Sequence, residues 1–193
     1  MKVLIISLPR TGSTTLMKAL GSIFNLETVN EPFYKDSPKL QTYPLEQKDN
    51  FIEKSHINHK PSNTSKSSFD FFCDYYKEFD KVILLGRKDL DAMTESFIHG
   101  RDTGNFHNPY TIPKSKKFKN FKEHRQSAEY WVDTVLKFSQ KNNIPITWYE
   151  DIYSGEERLI IETIKNWNLD IDLKLLFPFI DPKYKYRKTN SLL

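Results

Sequence analysis

The sequence predicts an α/β fold, a single-domain parallel sheet flanked by helices, and three observations lead there. Short β-branched apolar runs, KVLIIS at 2–7 and KVILLG at 81–86, read as strands buried on both faces. Other segments carry helical apolar spacing, such as Leu16, Leu20 and Ile23 in 13–24. The two kinds alternate along the chain, as crossover connections between parallel strands require.

Taken in order, 2–7 is the first strand. Its apolar run is too short, and Pro9-Arg10 follows too soon, for a signal peptide. A turn leads into the helix 13–24, and 26–29 is a second strand stopped by Asn30-Glu31-Pro32. Residues 33–50, rich in Pro, Lys, Asp and Gln, receive no assignment. A strand is expected over 50–57, a polar loop over 61–68, a helix over 69–79, a strand over 81–86 and a helix over 90–99. Residues 100–122 read as a basic loop or insertion carrying Lys114, Lys116, Lys117, Lys119 and Lys122. The amphipathic helix 123–141, the strand 144–149 and the helix 156–167 follow, and 183–193 is a basic tail. Neither an internal repeat nor a domain boundary is visible, so 1–193 is read as one domain.

Composition narrows the function. Lys plus Arg number 29 against 25 Asp plus Glu, an excess that suits anionic small ligands and is too small to argue for nucleic acid. The single Cys73 excludes an internal disulfide and points to a reducing, cytoplasmic setting. No run of apolar residues is long enough for a membrane span. No His, Cys or carboxylate spacing suggests a metal site, and His59, His99, His107 and His124 are read as loop or surface residues.

The most informative segment is Ser7-Leu8-Pro9-Arg10-Thr11-Gly12-Ser13-Thr14-Thr15, between the first strand and the first helix. A tight turn at that place aims backbone N–H groups and the positive helix end at an anion. Arg10 adds a guanidinium that grips two anion oxygens at once, and three consecutive hydroxyls add donors. A Walker loop needs Gly-x-x-x-x-Gly-Lys-Ser/Thr, whereas Ser13 follows Gly12 here and no Gly lies five residues earlier. The segment resembles the 5′-phosphosulfate loop of sulfotransferases. That resemblance implies a P-loop-like sulfotransferase fold, with 3′-phosphoadenosine 5′-phosphosulfate as donor. It places Arg10 on the transferring group and Ser13 and Thr14 on the 5′-phosphate, with Thr11, Gly12 and Thr15 completing the loop; Thr15 stands where cytosolic members often carry a Trp.

Two further landmarks occur in the family's order. Arg87 follows the strand 81–86, at the edge where ligands of open α/β sheets bind. With Ser96 nine residues on, it resembles the family's 3′-phosphate site in the spacing of bacterial trehalose-type members. Tyr149-Glu150-Asp151-Ile152 resembles the Tyr-Glu-Asp-Leu segment near the end of the family's core and is read as mainly structural.

Sulfuryl transfer to an alcohol or amine needs a group that takes the acceptor's proton. Lys54-Ser55-His56 resembles the Lys-Thr-His strand end of cytosolic sulfotransferases, which makes His56 a candidate base and brings Lys54 to the bridging oxygen. Glu31, just after the second strand, is the other candidate base, from its likeness to carbohydrate and trehalose-type members. The acceptor is a small molecule, a carbohydrate or another hydroxyl or amine compound, its walls drawn from 33–50 and 100–122. Two other readings stand beside this one: a P-loop-like nucleotide kinase or hydrolase, and a non-enzymatic nucleotide- or RNA-binding module using the basic stretch and tail.

Overall fold

The computed structural model describes residues 1–34, 49–103 and 120–180. Five strands, β1 (Lys2–Ser7), β2 (Glu27–Asn30), β3 (Phe51–His56), β4 (Lys81–Gly86) and β5 (Ile146–Trp148), form one parallel sheet in the order β2-β3-β1-β4-β5. Between them run α1 (Ser13–Phe24), α2 (Ser68–Tyr75), a 3-10 turn (Tyr76–Glu78), α3 (Leu90–Thr103) and α4 (Phe121–Asn142). After β5 come α5 (Tyr149–Ile152), α6 (Glu157–Lys165) and α7 (Leu173–Ile180).

Strand alternation sorts the core into two layers. In the central strand β1, Val3 and Ile5 face one side and pack with α1, α6 and α7, while Leu4 and Ile6 face the other and pack with α2 and α4. Both sides are apolar, which is why β1 reads as a continuous hydrophobic run. The second layer is aromatic: Phe33, Phe71 and Tyr75 meet with ring centroids 4.9–5.5 Å apart. Burying one such side chain contributes about 1.5–3 kcal/mol. Gly21 lets α1 approach β2, since a Cβ there would lie 2.7 Å from Thr28.

The expected α/β class and parallel sheet are borne out, and several boundaries move. The helix expected over 69–79 ends at Tyr75 and tightens into the 3-10 turn. Residues 100–103 continue α3, and Phe121 and Lys122 already belong to α4, so the basic loop is shorter than expected. The last strand ends at Trp148, with Tyr149 opening a helical turn. Helix α7, unassigned from the sequence, covers α1 with Leu176 and Ile180 fully buried. Lys114, Lys116, Lys117 and Lys119, with the tail 183–193, lie outside the described residues.

Register then sets the chemistry. Ser7 pairs with His56 and Asn30 with Lys54, so the carboxyl ends of β2, β3 and β1 lie side by side. The Arg87 turn follows β4, on the other flank of β1. The connections that follow β1, β2, β3 and β4 therefore leave the sheet at one edge, where ligands of open α/β sheets bind.

Candidate active site

The turn from β1 into α1 has an unusual backbone. Arg10 (φ 64°) and Gly12 (φ 70°) both take left-handed backbone, uncommon for a residue with a side chain. Gly12, the N-cap of α1, has no side chain to bond the helix's first N–H groups, and no acidic residue occupies the first turn. Its positive end therefore stays available to an anion. Thr11 is not at that surface: it is fully buried, and its hydroxyl donates to the Leu8 carbonyl at 2.9 Å, bracing the turn. Ser13 is buried too, while Thr14 and Thr15 are half-buried.

The second guanidinium closes on the first. Arg10 Nε donates to Ser96 Oγ at 2.7 Å, and Arg87 Nη1 donates to the Arg10 carbonyl at 2.8 Å. Burial and the neighbouring Arg87 charge push the Arg10 guanidinium below the ordinary arginine range, with Tyr149 partly opposing them. The two guanidinium groups thus stand beside each other at one edge of the sheet. Arg87 Nε is buried and has no hydrogen-bond partner among the described residues; the Glu150 carboxylate lies 3.9 Å away. Arg87 rests on the Tyr149 ring, 4.5 Å from its centroid. The Glu150 carboxylate accepts the Lys88 and Asp89 N–H groups at 3.0–3.1 Å, and Asp89 Oδ1 accepts the Ala92 N–H at the start of α3.

The two candidate bases turn out to be neighbours. Lys54 Nζ bonds Glu31 Oε1 directly, and His56 Nε2 lies 3.1 Å from that same oxygen and 3.2 Å from Lys54 Nζ. Glu31 sits on left-handed backbone (φ 49°), its N–H donating to the Lys54 carbonyl at 2.7 Å, which fixes the carboxylate over β3. Lys54 is only 2 % exposed and His56 9 %, so the expected Lys-Ser-His strand end is interior rather than a surface loop. The Ser7 hydroxyl donates to the Ser55 carbonyl at 3.4 Å, and its oxygen lies 3.1 Å from His56 Nδ1. Both ring nitrogens therefore have polar neighbours, Ser7 on the Nδ1 side and Lys54 with Glu31 on the Nε2 side.

Electrostatics follow from that packing. Burial opposes charge on Glu31, but bonds and charges from His56 and Lys54 outweigh it and hold the carboxyl well below the usual range. Burial and Lys54 push His56 down, with Glu31 opposing, so the imidazole is neutral near pH 7. With His56 neutral, Lys54 is the cation that holds the Glu31 charge, although burial lowers its own pKa as well.

Several residues escaped the sequence reading. His59, expected as loop or surface, stacks on Tyr34 at 5.0 Å and meets His56 edge-on at 5.2 Å, and burial pushes it down to about 4. His99 is buried in α3, not exposed. Tyr153 donates its O–H to the Gly12 carbonyl at 3.0 Å. Glu53 is wholly buried on the opposite face of β3, accepting from Tyr75 Oη at 2.6 Å and Ser55 Oγ at 2.7 Å. His107 lies outside the described residues. Among the described residues no three of His, Cys, Asp and Glu group as a metal ion would need, and no helix is long and apolar enough to cross a membrane.

A five-stranded parallel sheet flanked by helices, with a glycine turn between its first strand and first helix, is consistent with a P-loop-like fold. The family model of the sulfotransferase domain matches residues 1–164, and the chain belongs to that family: it is a sulfotransferase. No curated protein matches the chain.

Proposed function

We propose that this sulfotransferase moves the sulfuryl group of 3′-phosphoadenosine 5′-phosphosulfate to a hydroxyl or amine of a small molecule or carbohydrate, by in-line transfer in a reducing, cytoplasmic setting. The donor supplies the sulfuryl group and leaves as adenosine 3′,5′-bisphosphate. Arg10, the uncapped start of α1 and the hydroxyls of Ser13 and Thr14 hold the 5′-phosphosulfate, with Thr11, Gly12 and Thr15 shaping the loop. Arg87 and Ser96 hold the 3′-phosphate; Ser96 first exchanges its bond to Arg10 for the ligand. Negative charge that builds on the departing phosphate meets groups already oriented toward it.

The acceptor's proton enters the Glu31–Lys54–His56 cluster. His56 accepts it, and Glu31 Oε1, 3.1 Å from Nε2, stabilises the imidazolium that forms. Lys54 remains free to pass a hydrogen bond from Glu31 to the bridging oxygen. Glu31 and His56 then act as one unit rather than as alternatives.

The observation that carries this reading is the pairing of two guanidinium-bearing turns around an uncapped helix start, with a proton-accepting cluster one strand away. Calorimetric titration tests it. Adenosine 3′,5′-bisphosphate binds more tightly than ATP, and added magnesium leaves that order unchanged. Tighter binding of magnesium–ATP would instead support a kinase-like enzyme.

A further inference from the structure

The segment 149–153 touches both halves of the anion site, although nothing in its sequence announces that. At one end the Tyr149 ring lies under the Arg87 guanidinium, 4.5 Å from centroid to carbon. At the other, the Tyr153 O–H reaches the Gly12 carbonyl at 3.0 Å. The two rings are 4.7 Å apart, one helical turn along the chain. Arg87 closes the circuit by donating to the Arg10 carbonyl at 2.8 Å.

Consider what Tyr153 does to the loop. The Gly12 carbonyl accepts the first helical bond of α1, from the Leu16 N–H at 3.1 Å, and also accepts from Tyr153. Because the peptide is planar and trans, fixing that carbonyl fixes the Ser13 N–H in the opposite direction, out of the helix start. The Tyr153 ring also fills the space beside Gly12, where a Cβ would lie 2.6 Å from it. Burial raises the phenol's pKa, with Tyr149 adding to the effect, so it stays a protonated donor throughout the working range.

We propose that Tyr153 is a positioning residue of the donor site: it locks the Gly12 peptide so that the α1 N–H groups meet the 5′-phosphate, while Tyr149 at the other end of the segment steadies Arg87 for the 3′-phosphate. The inference rests on the donor reading above. It adds that one short segment sets both halves of the site, each through its own ring.

The test uses the full chain and three probes: adenosine 5′-monophosphate, adenosine 3′-monophosphate and adenosine 3′,5′-bisphosphate, titrated by calorimetry. Tyr153→Phe keeps the ring and removes one hydrogen bond. It weakens the 5′-monophosphate roughly three- to tenfold, the range for one neutral hydrogen bond, and leaves the 3′-monophosphate unchanged. Tyr149→Leu shows the reverse selectivity, by roughly three- to thirtyfold for a lost, partly desolvated cation–π contact. Thermal melting checks that each variant remains folded; Tyr149→Phe, which retains the ring, restores the 3′-monophosphate affinity. Wild-type protein that binds the probes while both variants weaken them equally, or not at all, overturns the inference alone. Wild-type protein that binds none of the three overturns the donor reading, and this inference with it.

Discussion

Replacing Glu53 by Gln should flatten a pH dependence of stability that the wild-type fold carries. Glu53 is wholly buried between β3 and α2, and burial pushes its carboxyl up to about 7, against hydrogen bonds from Tyr75 and Ser55 and with added repulsion from Glu78. In the unfolded chain the same group titrates near 4.5. Between those values the folded state binds more protons than the unfolded state, so stability falls as pH rises. The contribution is complete below about 4.5 and is lost as pH rises through about 7. A gap of that size corresponds to roughly 3 kcal/mol between pH 4 and pH 8, a large part of a domain's total stability. Other groups titrate in the same window. His59, held neutral down to about 4, makes stability rise with pH there, opposite in sign to Glu53. The difference between wild type and Glu53→Gln cancels such common contributions, because the amide keeps the volume and the acceptor oxygen without the titration. Urea denaturation of both proteins at half-unit steps from pH 4 to pH 8 measures it. The account predicts a wild-type curve that drops relative to the variant by roughly 3 kcal/mol, falling between about 4.5 and about 7 with its midpoint roughly halfway between those values and levelling off above them. Curves that stay parallel within about 0.5 kcal/mol, the usual scatter of independent effects, refute the reasoning, since Glu53 would then titrate alike in both states.

Three further predictions concern the proton-accepting cluster, given a working acceptor. His56→Ala lowers the single-turnover rate roughly 10²–10⁴-fold, the range for a positioned general base, and leaves donor affinity intact. Glu31→Gln lowers it as well, roughly tenfold or more for loss of the imidazolium's partner; a full-rate Glu31→Gln enzyme would remove the carboxylate from the unit. Ser7→Ala frees the Nδ1 side of His56 and lowers the rate a few-fold, roughly the worth of one hydrogen bond, with donor titrations unchanged. An unaltered rate in Ser7→Ala would show that this contact does not position the imidazole.

What could be read from the sequence was what local chemistry dictates. The first strand, the Arg10–Gly12 turn and the helix after it are contiguous, and each is specified by residue type: β-branched apolar runs, a left-handed Gly, then helix formers. Arg87 was legible because a strand end followed by a capped helix marks the sheet edge. The joining of Glu31 with His56 was not legible, because it depends on β2 and β3 pairing in a parallel register across an intervening 20-residue gap. The link from Arg10 to Ser96 spans β1 and α3 in the same way. Helix α7 was missed because LKLLFPFI is apolar on nearly every side and contains Pro178, so neither a helical stripe nor an uninterrupted helix former pattern appears. His59 and His99 were misplaced for a related reason: an isolated histidine carries no periodic signal, and its burial is decided by Tyr34 and by the packing of α3. Tyr153 carries no signal of its own in the sequence, and only the fold brings its hydroxyl to Gly12.

The central claim is that Arg87 and the Arg10 turn divide a donor's two phosphate ends between them. Titration of adenosine 3′,5′-bisphosphate and adenosine 5′-monophosphate into wild type and Arg87→Ala tests it most directly. The account predicts that Arg87→Ala weakens the bisphosphate by roughly ten- to a hundredfold, the loss expected for a charge-assisted hydrogen bond, while the 5′-monophosphate changes little. Equal weakening of both ligands, or no weakening of either, would contradict it.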